Sequence, residues 1–294
     1  MKKVWLITGS SKGLGKSLAQ EVLAKGDQLV ATARNTDHLK DLSEKFPSQV
    51  LILPLDVNDH TQITSALEKA IERFGRIDVL VNNAGFGVIG AAEAFTQAQV
   101  ESQLAVNLFA PIEITRAVLP IMRKQRSGHI LQVSSIGGRV GNAGLTMYQA
   151  AKFGLAGFSE ALSKEVSPLG IKVTCIEPGG FRTEWAGASM SFAPEVEGYE
   201  NTVGAMANYI KSGSYVPVGD PGKAAKVMFE VAYSEEPPVH LVLGSEAAKI
   251  LKDADQARNA EFEKWLPVTS STDHDDSVDL FASDGGRQFL SQKK

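Results

Sequence analysis

The chain has 294 residues, 43% of them hydrophobic and 22% charged, with a formal net charge of -4 and a single cysteine. Those proportions are ordinary for a globular protein with one large core, and the mild negative charge excludes nonspecific attraction to nucleic acid or an anionic membrane. One cysteine excludes an internal disulfide, so Cys175, inside the apolar run "IKVTCIEP", reads as a small core residue in a reducing compartment. No stretch is read as approaching the roughly 18–20 apolar residues of a membrane span. The start "MKKVWLITG" is too short in its apolar part for a signal peptide. A cytoplasmic protein is expected.

In chain order, "KVWLIT" (residues 3–8) reads as a fully buried strand, and residues 15–26 as a helix with Leu18, Ala19, Val22 and Leu23 at helical spacing. Strands follow at 28–33, 50–56 and 77–85, with a short helix through Leu39 and Leu42 and a longer one at 59–74. A long helical region at about 97–124 contains Pro111 and Pro120. Residues 128–135 and 171–179 read as strands five and six, with a helix at 147–166 between them. A helix at 221–233 and a seventh strand at 239–244 complete the pattern. Continuous apolar strands alternating with helices predict a doubly wound, parallel, seven-stranded α/β sheet in a single domain. That domain is set at residues 1–266, with an irregular stretch at 181–220 and a polar, acidic tail at 267–294.

"TGSSKGLG" (residues 8–15) lies between the first strand and the first helix. Gly9, Gly13 and Gly15 permit a sharp turn and a close backbone approach to a pyrophosphate at a helix N-terminus. Such turns also occur without a ligand. An ATP-binding P-loop is excluded, because Ser10 stands where that motif needs glycine. NAD-specific sites tend to place an acid at the end of the second strand, whereas this chain has Ala33 and Arg34. Arg34 and Lys12 are two cations at the adenosine end, which favours the 2'-phosphate of NADP(H). The alternative is that both are ordinary surface charges.

"YQAAK" places Tyr148 and Lys152 four residues apart on one helix face. Together with "TGSSKGLG", "LDV" at 55–57, "NNAG" at 82–85, "VN" ending at Asn107, "SS" at 134–135 and "PGGFRT" at 178–183, it resembles the short-chain dehydrogenase/reductase family. The motifs keep the family's order across about residues 3–245. The resemblance implies a Rossmann-type sheet, a nicotinamide cofactor and hydride transfer. "PGGFRTEWAG" and the segment after the last strand are similar to a subgroup of 17β-hydroxysteroid and retinol dehydrogenases.

The resemblance makes Tyr148 the proton donor or acceptor, with Lys152 and the oxidised nicotinamide lowering the phenol's pKa and Lys152 bonding the ribose. It makes Ser135 a hydrogen-bond donor to the substrate carbonyl, with Ser134 structural. It makes Asn107 a holder of a relay water, the alternative being a helix-kink residue. It also implies cofactor contacts from Gly9, Ser11, Lys12, Gly13, Leu14, Gly15, Arg34, Asp56 and Val57. Further contacts are implied from Asn83, Ala84, Gly85, Tyr148, Lys152, Pro178, Gly179, Phe181 and Thr183. Asp56 meets adenine, Asn83 steadies the sheet and cofactor, and Thr183 bonds the carboxamide.

His38, His60, His129, His240 and His274 show no metal-ligand spacing, and no metal is expected. Substrate selection is assigned to 181–220 and to Phe86, Val88, Ile136, Asn142 and Leu145. The aromatics and methionines of 181–220 suit an apolar pocket. The reaction expected is NADPH-dependent, reversible reduction of a ketone or aldehyde. The alternatives are an NADP-binding redox sensor without turnover, an enoyl reductase, and an epimerase or dehydratase. A homodimer or homotetramer through the helices of Asn107 and Tyr148 is one expectation for assembly, with Ala150, Gly154 and Gly157 allowing close approach; the alternative is that the extended carboxyl end blocks one of these interfaces.

Overall fold

The computed structural model describes residues 2–186, 190–277 and 283–291. The chain begins β1 (Val4–Ile7), α1 (Gly13–Ala24), β2 (Gln28–Ala33), α2 (Lys40–Lys45), β3 (Val50–Pro54), α3 (His60–Phe74) and β4 (Val79–Asn82). It continues with β5 (Gly87–Ile89), α4 (Gln97–Leu104), α5 (Ala110–Gln125), β6 (Gly128–Val133), α6 (Thr146–Val166) and β7 (Ile171–Pro178). Then come β8 (Met190–Phe192), α7 (Ala205–Lys211), α8 (Pro221–Tyr233), β9 (His240–Leu243), α9 (Ser245–Ser270) and α10 (Asp284–Ser291).

Seven of these strands form one parallel sheet in the order β3-β2-β1-β4-β6-β7-β9. The order grows outward from β1 in both directions, so the winding reverses between β1 and β4, where such sheets open a crevice for ligands. Strand alternation sends Trp5 and Ile7 to one face and Leu6 to the other. The first face packs on Leu18, Val22 and Leu23 of α1 and Met228 of α8. The second packs on Ile63 and Leu67 of α3, Ile114, Val118 and Met122 of α5, and Leu162 of α6. Apolar residues are therefore needed at nearly every strand position, as the sequence reading expects of a doubly covered sheet.

Caps set the helix ends. Asp59 accepts from the Thr61 and Gln62 N–H groups at the start of α3, and Gly75, at φ 75°, closes its other end. Asp220 caps α8 in the same way, with Pro221 in its first turn. Between α4 and α5 the chain makes a π-helical turn, Ala105–Phe109, so Gln97–Gln125 is one continuous helix of 29 residues. By length and mean hydropathy it is long and apolar enough to cross a membrane, which corrects the reading that no stretch approaches a span. Its inner face is spent on the sheet through Ala110, Ile114, Val118 and Met122.

Two compact units result, Met1–Leu251 and Lys252–Lys294, and the first contains the whole sheet. The second begins within α9, a helix that continues through Pro267 to Ser270, where the sequence reading begins the tail. Its described residues also include α10. The 181–220 stretch is more regular than expected. It contributes β8, which pairs with β5 in a small parallel sheet, and then α7. A three-residue strand has too little periodicity to be read from sequence.

Candidate active site

The glycine turn lies at the carboxyl ends of β1 and β4, fixed from both sides. Ser10 donates from its N–H to the Thr32 carbonyl at 2.9 Å, and its hydroxyl accepts from the Thr32 N–H at 3.3 Å, tying the turn to β2. On the other side the Asn83 amide donates to the carbonyls of Thr8 (2.9 Å) and Gly9 (3.1 Å). The Thr8 hydroxyl accepts from the N–H groups of Asn83 and Ala84. Gly9 and Gly13 have φ of 67° and 54°, where a side chain is strained. A Cβ at Gly15 would collide with the Asn83 amide and the Gly9 carbonyl. The cradle's bare backbone is thus required by its own packing, and it leaves helix N–H groups available to an anion.

The other expected cofactor residues stand at the same sheet edge. Lys12 is exposed at the N-cap of α1 without a side-chain capping bond, next to Ser11, while Leu14 packs on the core below. Arg34 is exposed just past β2. Asp56 follows β3, accepting from the Asn58 N–H at 3.0 Å, and Val57 is buried beside it. Pro178 ends β7, and Gly179 donates to the Leu243 carbonyl. Thr183 lies over the turn, with its Cβ 3.5 Å from where a Gly13 Cβ would stand. The ring of Phe181, at the same edge, packs beside Gly219 and against the core.

Tyr148 and Lys152 project from α6 into the crevice and both are buried. The phenol is hydrogen-bonded to Ser135, whose hydroxyl also accepts from the Gly137 N–H at 3.0 Å. The Lys152 ammonium donates to the Val133 carbonyl at 2.8 Å and sits 5.7 Å from the Tyr148 ring centroid. Burial pushes Tyr148 up to about 12, against the smaller opposing effect of the Ser135 bond, and pushes Lys152 down to about 8. The expectation that Lys152 lowers the phenol's pKa concerns the site with the oxidised nicotinamide beside it; in the protein itself burial is the largest influence on each group. Ser134 donates to the Lys152 carbonyl at 3.2 Å and so positions α6.

Asn107 is fully buried in the π-helical turn. Its amide donates to the Phe86 carbonyl (3.0 Å) and accepts from the Phe86 N–H (3.2 Å), gripping the backbone beyond β4. Its side chain is committed to that grip, and π turns recur at functional positions in helices. Gly85 lies between Asn107 and Lys152: a Cβ there would stand 2.8 Å from the Asn107 oxygen and 3.8 Å from the Lys152 nitrogen.

An apolar cluster covers Tyr148. Ile89, Leu145, Met190 and Ala207 pack with it, and Trp185, Phe192, Val203, Met206 and Ile210 close around them. The Trp185 and Tyr148 ring centroids are 5.4 Å apart. Leu145, Trp185, Met190, Phe192 and Met206 are where the sequence reading puts substrate selection. Val203, Ala207 and Ile210 fall in the same 181–220 stretch without being singled out, and Ile89 was missed, because a hydrophobic residue without a motif gives no signal of which cavity it joins. Tyr209 is instead exposed and packs on Tyr215. Also missed were Thr8 and the buried set Asn82, Thr115 and Gln132, in which the Asn82 amide donates to Thr115 and Gln132 behind the crevice.

Among the described residues, ligand atoms of Cys175, Glu177 and His240 lie within 4.8 Å of one another. The strands bring His240 opposite Cys175, a proximity absent from the sequence spacing. Glu177 is already engaged by His240 at 2.7 Å and Arg139 at 3.3 Å. Burial pushes the Cys175 thiol up to about 12, as befits an inert core residue.

The sequence model of the family described as short chain dehydrogenase matches residues 3–192. The oxidoreductase BOA17 of Botryotinia fuckeliana is 44% identical over 270 residues, covering 92% of this chain and 98% of that one. The crystal structure of a short-chain dehydrogenase from Streptomyces avermitilis is 37% identical, with a TM-score of 0.88 over 93% of this chain and 100% of that one. The structure of ElxO with NADP bound is 25% identical, with a TM-score of 0.70 over 85% of this chain and 100% of that one.

Proposed function

We infer that this chain, which belongs to the short-chain dehydrogenase/reductase family and is an oxidoreductase, reduces a ketone or aldehyde to an alcohol with NADPH, reversibly. The observation that carries the reading is the buried Tyr148 phenol, hydrogen-bonded to Ser135 and backed by Lys152. A phenol held near 12 keeps its proton at neutral pH, so it serves the reductive direction as the donor to the substrate oxygen. Ser135 shares that hydrogen bond and stabilises the oxygen as negative charge develops on it. Lys152 places a positive charge beneath the pair. Asn107, by clamping Phe86, fixes the backbone that lines the crevice.

The nicotinamide cofactor, when bound, supplies the hydride. The glycine cradle and the N-terminus of α1 fit its pyrophosphate, and Lys12 and Arg34 fit a 2'-phosphate. The NADP-bound relative of similar fold supports that choice. The apolar cluster over Tyr148 favours a largely apolar substrate. For assembly we propose a second copy against the outer face of α6, where Ala150, Phe153, Gly154 and Gly157 are exposed beside Phe109.

The test is oxidation of NADPH and of NADH over a panel of ketones and aldehydes, with Tyr148→Phe beside the wild type. Turnover faster with NADPH, and lost by about a hundredfold or more in the variant, is the expected result. NADPH binding without turnover on any carbonyl would return the protein to the regulator class.

A further inference from the structure

The N-terminus of α1 carries no side-chain cap from Lys12 and no acid in its first turn. An acidic group reaches it from 171 residues away: the Glu184 carboxylate accepts a hydrogen bond from the Gly13 N–H at 3.1 Å. The turn that presents Glu184 is held on both sides. Before it, Phe181 bridges to Gly219, and Arg182 donates to the carbonyls of Gly219 and Pro217. After it, Trp185 packs on Tyr148. A carboxylate and a phosphate ask the same thing of a helix start, which is backbone N–H groups and the positive end of the helix dipole.

Resting on the nucleotide-binding reading above, we propose that Glu184 is a built-in competitor for the cofactor's pyrophosphate. Its carboxylate takes the Gly13 N–H, and a dinucleotide binds by exchanging a phosphate oxygen for it. The contact stabilises the protein without nucleotide and sets a lower affinity for nucleotide, and so eases release of the spent cofactor. No bond is made or broken in the exchange beyond hydrogen bonds.

The test is the NADPH dissociation constant, read by the fluorescence of the bound nucleotide, for the wild type, Glu184→Ala, Glu184→Gln and Glu184→Asp. Loss of a capping carboxylate is worth about fivefold in affinity, equivalent to ~1 kcal/mol at about 1.4 kcal/mol per tenfold. Glu184→Ala is therefore expected to bind NADPH about fivefold tighter, Glu184→Gln to tighten in the same direction, and the melting temperature without nucleotide to fall in both. Glu184→Asp keeps the charge but is one methylene short of Gly13. Tightening in this variant supports displacement of a specific contact, and an unchanged constant assigns the effect to charge alone and overturns the proposal. Glu184→Ala binding NADPH no tighter than the wild type overturns it as well, while leaving the proposed function intact. A wild type that binds neither NADPH nor NADH overturns the function, and this inference with it.

Discussion

Replacing Lys152 with Met separates what the site needs for chemistry from what the fold needs for stability. The ammonium is buried, and desolvation takes its pKa from 10.5 to about 8. At pH 7 the lysine is protonated in both folded and unfolded chains, and the folded chain bears a charge it holds less well than water does. The difference in pKa corresponds to ~3 kcal/mol of destabilisation at pH 7. Between the folded and unfolded pKa values the unfolded chain binds more protons, so stability rises with pH from about 8 to about 10.5, and about 2 kcal/mol of the penalty is gone by about pH 9.5. Met removes the charge at nearly the same volume. It also leaves the Val133 carbonyl without its 2.8 Å donor, at a cost of about 1–3 kcal/mol. Lys152→Met is therefore expected to be inactive yet as stable as the wild type at pH 7, or more stable by up to ~2 kcal/mol. Urea unfolding of both proteins at pH 7 and about pH 9.5 measures this, and common titrations cancel in the difference. The wild type should gain on the variant by about 2 kcal/mol between the two pH values. A constant difference, or one that moves the other way, would refute the claim that burial strains this ammonium.

Other expectations follow from the same geometry. The wild type's kcat/KM for reduction should fall above about pH 8 as Lys152 loses its proton, with no fall from Tyr148 until near 12, which a pH profile with NADPH will read. Gly9→Ala puts a Cβ at φ 67° and 3.0 Å from the Ala84 Cα, so a loss of about 1–3 kcal/mol in urea unfolding is expected, with weakened NADPH binding. The double variant Lys12→Ala, Arg34→Ala should lose about tenfold or more of its affinity for NADPH while its affinity for NADH stays within about twofold, as titration of each nucleotide will show.

Much of the crevice was legible because its requirements are local. Strand-to-helix transitions, the glycine turn and the four-residue step from Tyr148 to Lys152 are properties of neighbours along the chain, and the sequence reading places them where the structure does. The apolar cover over Tyr148 was legible only in outline. Trp185 and Met190 stood out by residue type, but Ile89 and Ala207 are indistinguishable in sequence from any other core residue. Desolvation of the pair was not legible, because it is a property of the whole surround, and here it is the largest influence on both groups.

By itself the amino-acid sequence determined the parallel sheet, its seven strands and the glycine cradle, since backbone conformation and periodicity are written in adjacent residues, while the resemblance to a family named the groups that converge on the crevice. Only the tertiary structure decided the partners separated by long stretches of chain. Glu184 meets Gly13, Asn107 grips Phe86, and His240 meets Glu177 because the sheet order brings distant segments to one edge. Burial and hydrogen bonding depend on everything packed around a group, and that surround exists only once the chain is folded.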